Sequence, residues 1–362
     1  MSRMSARRRP PLSEIDARRI VLLKPSALGD IVHSLPVLTA LRRRFPHSHI
    51  RWVVNQGYAD LLHGHPDLDE VLVFDRGAAR GGLWRGARAF AALADEVRRL
   101  RPDLVVDLQG LFRTGLLALA SGAPRRVGLS TAREGAVWFY TDVVPVADFE
   151  AIHAVDRLWL IAKALGAGGP PKEFRLVLSD EAREWANEQL AGLPRPWLVV
   201  GPGSRWPTKR WPPEYFAALA RRAQGRFGGT VVFVGGGDEA PVADAVAARL
   251  TGPTRNLAGQ TTLPQLTAVL AEADVMLAND TGPLHVAAAL GRPVVAPYTC
   301  TKVLLTGPYG GEAACVESRV WCQGSRLKRC RRMDCMAELT PDRLWPRLEE
   351  VLLTWESRRR SA

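Results

Sequence analysis

The chain has no run approaching the roughly 18 apolar residues of a membrane-spanning helix, and no apolar segment follows the charged start MSRMSARRRPPLSE as a secretory signal requires. The expectation is therefore a cytoplasmic protein. Cysteine is scarce. All five, Cys300, Cys315, Cys322, Cys330 and Cys335, fall in the last quarter, an odd number that suits free thiols better than a disulfide framework. Their spacings lack the CxxC pairs of structural zinc sites, so no metal is expected. Neither GxGxxG nor GxxxxGK[ST] occurs, which removes the sequence support for a nicotinamide cofactor or an NTPase. No cofactor is expected. Aromatic residues are not interleaved with basic ones as stacking platforms for single-stranded nucleic acid would be, so nucleic acid is not the expected partner.

What is present is apolar bulk and positive charge. At 362 residues and 47% hydrophobic content, two separate cores are the expectation. The net charge of +12 by itself points to an anionic partner, whether nucleic acid, a phosphate-bearing substrate or the cytoplasmic leaflet of a membrane, or simply to arginine-rich composition. Charge alone does not choose.

Beyond a basic, flexible tail over residues 1–18, short apolar runs alternate with helical stretches. Strands are expected at 19–24, 50–54, 71–74 and 104–108, and helices at 84–100 and 116–120. A helix over 151–165 stops at Gly166-Ala-Gly-Gly-Pro-Pro171, after which 167–196 reads as a linker. Alternation restarts with strands at 197–200, 231–234, 275–278 and 294–296. The expected organisation is α/β: two Rossmann-like, doubly wound domains over 19–166 and 197–340, then a C-terminal helix and tail over 341–362.

In open α/β sheets ligands bind beyond the carboxyl ends of the strands, and four such turns stand out. In Lys24-Pro-Ser-Ala-Leu-Gly-Asp30, the aspartate is either a helix cap or a general base for an acceptor hydroxyl. The loop Gly201–Trp211 offers small residues beside Ser204, Lys209 and Arg210, a pattern suited to phosphate oxygens. Gly235-Gly-Gly-Asp-Glu239 ends in a carboxylate that either caps a helix or accepts hydrogen bonds from ribose hydroxyls. The fourth, Asn279-Asp-Thr-Gly-Pro-Leu-His285, places Asp280, Thr281 and Gly282 at a helix start able to hold an anion. His285 is read there either as a donor contact or as a buried structural imidazole.

Together these turns resemble glycosyltransferase family nine, the bacterial heptosyltransferases. The resemblance is carried by KPSALGDIVHSLPVLTAL (24–41), Val106-Asp-Leu-Gln-Gly-Leu111, Pro207-Thr-Lys-Arg-Trp-Pro212 and Asn279–His285. It implies a GT-B fold, two facing domains with the active site in the cleft between them, and inverting transfer from ADP-heptose to the inner core of lipopolysaccharide without a required metal. It also implies that Asp30 is the catalytic base, that Lys209 and Asp280–Gly282 hold the donor diphosphate, and that Glu239 binds ribose. His153 lies in a matching stretch with its role open. Another nucleotide sugar with a non-lipopolysaccharide acceptor is the competing reading. Arg113, Arg125, Arg126 and Arg133 are expected to face the anionic acceptor. Arg7, Arg8 and Arg9 are candidates for contact with an anionic inner-membrane surface, and the stretch from Arg326 to Arg332 for contact with an anionic acceptor or lipid. Asp67-Leu-Asp69 has the form of a DxD metal motif but reads as a turn before a first-domain strand.

Overall fold

The computed structural model describes residues 9–74 and 82–361, so Arg7 and Arg8 of the basic tail lie outside the described residues. The chain divides into two compact units. The first comprises Met1–Ser26, Ser34–Phe149 and Val155–Arg175; the second comprises Ala27–His33, Glu150–Ala154 and Leu176–Ala362.

The first unit is built on a six-stranded sheet of β1 (Arg19–Leu23), β2 (His49–Asn55), β3 (Glu70–Phe74), β4 (Leu104–Asp107), β5 (Arg125–Leu129) and β6 (Asp142–Val144), in the order β3-β2-β1-β4-β5-β6. Every pairing is parallel, with Ile20 opposite Ile50 on one side and Leu104 on the other. β1 and β4 are buried almost throughout, as central strands covered on both faces must be, and Val21, Leu23 and Val105 pack with Leu93, Val97 and Leu117 of the helices Leu83–Arg99 and Phe112–Ala120.

The second unit repeats the plan. Its strands β7 (Trp197–Gly201), β8 (Thr230–Phe233), β9 (Thr254–Asn256), β10 (Val275–Ala278), β11 (Val294–Tyr298) and β12 (Cys315–Glu317) run β12-β11-β10-β7-β8-β9, again all parallel. Counted within each unit the order is 3-2-1-4-5-6, the Rossmann arrangement. The strand order therefore reverses between β1 and β4 and between β7 and β10, where crevices for ligands open at the carboxyl ends. Leu344, Trp345, Leu348 and Leu352 of the last helix, Pro341–Ser361, complete the core of this unit with Phe216 and Phe233.

Three local expectations need correction. Residues 9–18, read as flexible tail, pack on the first unit: Ile15 and Ala17 are buried, and Arg44 binds the carbonyls of Ser13 and Ile15. The stretch 167–196, read as linker, contains a helix, Asp180–Leu190, capped by the Ser179 hydroxyl, which accepts the Ala182 N–H at 3.2 Å. Its apolar Ala182, Ala186 and Leu190 recur every fourth residue and are buried. Finally, β5, β6, β9 and β12 had no place in the sequence reading; Arg125-Arg126 opens β5, and β9 is Thr-Arg-Asn, so neither presents the apolar run that marks a buried strand.

Candidate functional site

The second unit gathers most of the expected donor residues around the reversal between β7 and β10. Asn279 directly follows β10, and its side chain is fully buried. Its Nδ2 donates to the carbonyls of Pro202 (2.8 Å) and Gly203 (3.2 Å), and its Oδ1 accepts the Trp211 N–H (3.1 Å), which pins the loop after β7 to the end of β10. That loop presents Lys209 to Asp280. Lys209 Nζ lies 2.5 Å from Asp280 Oδ2, the Thr301 hydroxyl donates to the same oxygen at 2.6 Å, and His285 Nε2 lies 3.3 Å from Oδ1. Burial alone would raise the Asp280 carboxyl, but the Lys209 ammonium and the His285 imidazole outweigh it and hold the group well below the ordinary carboxylate range. Asp280 is thus a buried carboxylate whose charge is fixed, and Lys209 is a cation whose position is fixed.

Thr281 sits at the cap position of the helix Gly282–Ala289 but makes no side-chain cap, its hydroxyl donating instead to the Asn279 carbonyl at 3.2 Å. The first turn of that helix, next to the Lys209 ammonium, is where an anion is best accommodated. Lys209 Nζ also lies 4.8 Å from the centre of the Trp206 ring, and Lys328 Nζ lies 5.4 Å from the same ring. Ser204 is buried and its carbonyl accepts Arg210 Nε at 2.6 Å, whereas the rest of Arg210 is exposed.

Glu239 is half-buried just before the helix Ala240–Ala247, where its Oε2 accepts the Gly236 N–H at 3.0 Å. Burial pushes its carboxyl upward, opposed by that N–H. A Cβ on Gly203 would come within 2.3 Å of the Glu239 carboxyl carbon, so only glycine at 203 lets the two loops approach this closely.

Asp30 lies in the short helix Leu28–Val32, part of the second unit although β1 of the first sheet leads into it. Its Oδ2 accepts the Ala27 N–H at 3.1 Å, so the capping role is filled, and the residue is exposed. This helix lies against the helix Gly282–Ala289 through two glycines. A Cβ on Gly29 would meet the His285 ring at 2.5 Å, and one on Gly282 would meet Leu28 at 2.7 Å. The contact brings His33 Nε2 within 3.2 Å of His285 Nδ1. His153, whose Nε2 lies 3.0 Å from the Gly307 carbonyl, stacks edge-on against His33 with ring centres 5.3 Å apart. All three imidazoles are buried.

His33, Thr301 and Asn279 were not singled out from the sequence. His33 and Asn279 stand within motifs quoted for other residues, but Thr301 follows β11 with no pattern to mark it.

The four arginines expected to face an acceptor do not come together. Arg113, on the first turn of Phe112–Ala120, and Arg133, whose N–H donates to the Gly110 carbonyl at 2.8 Å, are exposed beyond the carboxyl ends of β4 and β5. Arg125 and Arg126 instead open β5, at the amino end of the strand and so at the opposite end of the sheet. Arg125 is buried against Asp142 (3.1 Å) and the Pro10 carbonyl, and Arg126 binds the carbonyls of Phe139 and Ala123. Their guanidinium groups are taken up in holding the fold. The aspartates of Asp67-Leu-Asp69 are likewise occupied, Asp67 by the Thr39 hydroxyl (2.8 Å) and Arg175 (3.0 Å), Asp69 by Arg42 and the Ile50 N–H. Among the described residues no group of three or more His, Cys, Asp or Glu side chains is arranged to hold a metal ion.

Two parallel sheets of Rossmann order with flanking helices, one carrying an anion-suited turn braced by Lys209 and Asp280, define the class: a GT-B glycosyltransferase. Residues 90–336 match the sequence model of glycosyltransferase family 9 (heptosyltransferase), and the chain belongs to that family. It is 32% identical over 369 residues to lipopolysaccharide heptosyltransferase 1 of Pseudomonas aeruginosa, across 94% of this chain and all of the relative. Among solved structures it is similar to a family 9 glycosyltransferase from Veillonella parvula (27% identity, TM-score 0.80, 94% of this chain and 99% of that one). It is also similar to an E. coli heptosyltransferase solved with ADP (25% identity, TM-score 0.73, 92% and 99%).

Proposed function

We propose that this chain transfers a heptose from ADP-heptose to the inner core of lipopolysaccharide, with inversion at the anomeric carbon. The observation that carries the reading is the Lys209–Asp280 pair at the start of the helix Gly282–Ala289, because it fixes a cation beside unbonded helix dipoles where a diphosphate leaving group gains charge. The ADP in one similar structure and the lipopolysaccharide relatives support the donor and acceptor classes.

In this reading Asp30 takes the proton of the acceptor hydroxyl as its oxygen attacks the anomeric carbon from the face opposite the diphosphate. Lys209, Arg210, Ser204, Thr281 and Gly282 surround the departing diphosphate, His285 supports Asp280, and Glu239 binds the ribose. Arg113 and Arg133 meet the carboxylates and phosphates of the acceptor. Asp30→Asn should lower turnover about 1,000-fold while leaving ADP affinity within about threefold. Near-normal turnover would remove Asp30 as base, and turnover of a UDP-sugar in preference to ADP-heptose would overturn the donor.

Peripheral contact with an anionic membrane is part of the proposal. Among the described residues no helix is long and apolar enough to cross a membrane. The segment 319–332, however, carries six Lys or Arg and no acidic residue, and its Trp321 is 84% exposed. Sedimentation with vesicles rich in phosphatidylglycerol should exceed that with phosphatidylcholine alone; equal sedimentation would refute the contact.

A further inference from the structure

We propose that His33 is a positioning residue, which holds the Asp30 helix in register with the Asp280 turn through a hydrogen bond to His285. The inference rests on the proposed roles of Asp30 and Asp280.

Asp280 is ionised and accepts only, being bound by Lys209 and the Thr301 hydroxyl. His285 Nε2, at 3.3 Å from Asp280 Oδ1, must therefore carry the proton of that hydrogen bond. With the proton on Nε2, the neutral form of the His285 ring has its lone pair on Nδ1, and the group facing it at 3.2 Å is His33 Nε2. His33 then donates. One proton fits between the two ring nitrogens, so donation runs from His33 through His285 to Asp280, which also accepts from the Lys209 ammonium. His33 follows directly on the helix Leu28–Val32, its N–H donating to the Gly29 carbonyl at 2.9 Å, so the imidazole that sets the His285 tautomer is rigidly attached to the element bearing Asp30.

The surroundings leave His33 little freedom. Its ring lies edge-on to His285 on one side (centres 4.5 Å apart) and to His153 on the other, and His153 is tied to the Gly307 carbonyl. Gly29 lies against the His285 ring and Gly282 against Leu28, closely enough that a methyl group at either position would force the helices apart. An arrangement serving only to fill space would be met by apolar side chains. Here the buried contact is polar, directional and continuous with the group that fixes Lys209.

Three substitutions separate positioning from packing. His33→Gln places an amide donor near the original Nε2. His33→Leu fills similar volume without a donor, and His33→Asn keeps the donor on a shorter side chain that falls short of His285. We expect the Leu and Asn variants to lose about 100-fold in kcat, the scale of a misplacement near 1 Å, with the KM for ADP-heptose within about threefold of the parent. The Gln variant should recover most of the loss. In spectra of 15N-histidine-labelled protein, His285 should show a protonated Nε2 and an accepting Nδ1 in the parent and Gln variant, and a mixed tautomer in the others. If Leu fails to fold, the contrast between Gln and Asn carries the test. Parent-like turnover in Leu or Asn, or equal losses in Gln and Asn, would overturn the proposal. Asp30→Asn measured alongside keeps the two ideas apart: no effect of Asp30→Asn removes the mechanism, whereas a large effect with a flat His33 series removes only the role of His33.

Discussion

Each sheet buries an aspartate at the end of its fourth strand, and the two are held by opposite means. Asp107, the last residue of β4, is enclosed by neutral donors: its Oδ1 accepts the N–H groups of Gln109 and Gly110, both at 2.9 Å, and its Oδ2 accepts the Tyr140 hydroxyl at 2.7 Å. With no cation among these partners, burial dominates and pushes its carboxyl upward. Asp280, two residues past β10, is equally buried but faces an ammonium and an imidazole, and is pushed downward. Neighbouring positions at the carboxyl end of the same strand in the order thus hold a carboxylate among neutral donors in one unit and a carboxylate paired with a cation in the other. Strand order puts both carboxylates at carboxyl-end turns; the charge of the partners sets which way each is shifted.

Lys209→Ala attacks this contrast most directly, because it leaves Asp280 buried without its ammonium. We expect single-turnover rates to fall about 1,000-fold and urea unfolding to show a loss of about 3 kcal/mol. The pH dependence has a definite sign. A depressed native pKa gives stability that is fully present above the unfolded carboxylate value near 4 and is lost as pH falls through the native value. Without Lys209 the native value rises, so acid unfolding should begin at higher pH than in the parent. Coincident acid unfolding of the two proteins would show that Lys209 does not set the depression.

Asn279→Ala tests whether the loop after β7 needs its anchor. Three hydrogen bonds disappear and the Trp211 N–H and two carbonyls are left unmatched, so we expect about 3 kcal/mol of destabilisation and about tenfold weaker ADP binding by calorimetry. Unchanged ADP affinity would mean that Lys209 is positioned by other contacts. Asp107→Asn should have the smallest effect, since the amide oxygen can still accept both N–H groups and the amide nitrogen can donate to the Tyr140 oxygen. Its turnover should stay within about twofold and its stability within about 1 kcal/mol near pH 4. Because the native pKa of Asp107 is raised, the parent loses stability as pH rises from the ordinary carboxylate value through the native one, so the variant should gain on the parent over that window. A turnover loss comparable to that of Lys209→Ala would give Asp107 a role beyond the turn.

The central strands were legible because parallel strands covered on both faces are short, unbroken apolar runs, as in Ile20–Leu23 and Val275–Ala278. The turns behind them were legible because glycine, proline and charge cluster there. What escaped the sequence depended on partners far along the chain. Arg125 and Arg113 are alike as letters, yet Asp142 and Pro10 occupy one while the other is exposed. The Asp30 motif announced itself as a helix start, but nothing in it showed that the segment belongs with residues more than 250 positions later. Thr301 was silent for the same reason: a lone hydroxyl after a strand acquires meaning only once Asp280 is found 2.6 Å away.

That long reach has a consequence for how the protein is made. The hydrogen bond between His33 and His285 spans 252 residues. During synthesis the first sheet can close upon itself while the ribosome is still translating the second, yet the helix after β1 must wait, unmatched, until Ala289 has emerged and folded. Closing so distant a loop comes late and slowly, so the region around Asp30 should be among the last to gain protection from hydrogen exchange in refolding. A chain arrested partway would hold the first sheet but leave the Asp30 helix without the helix it packs against.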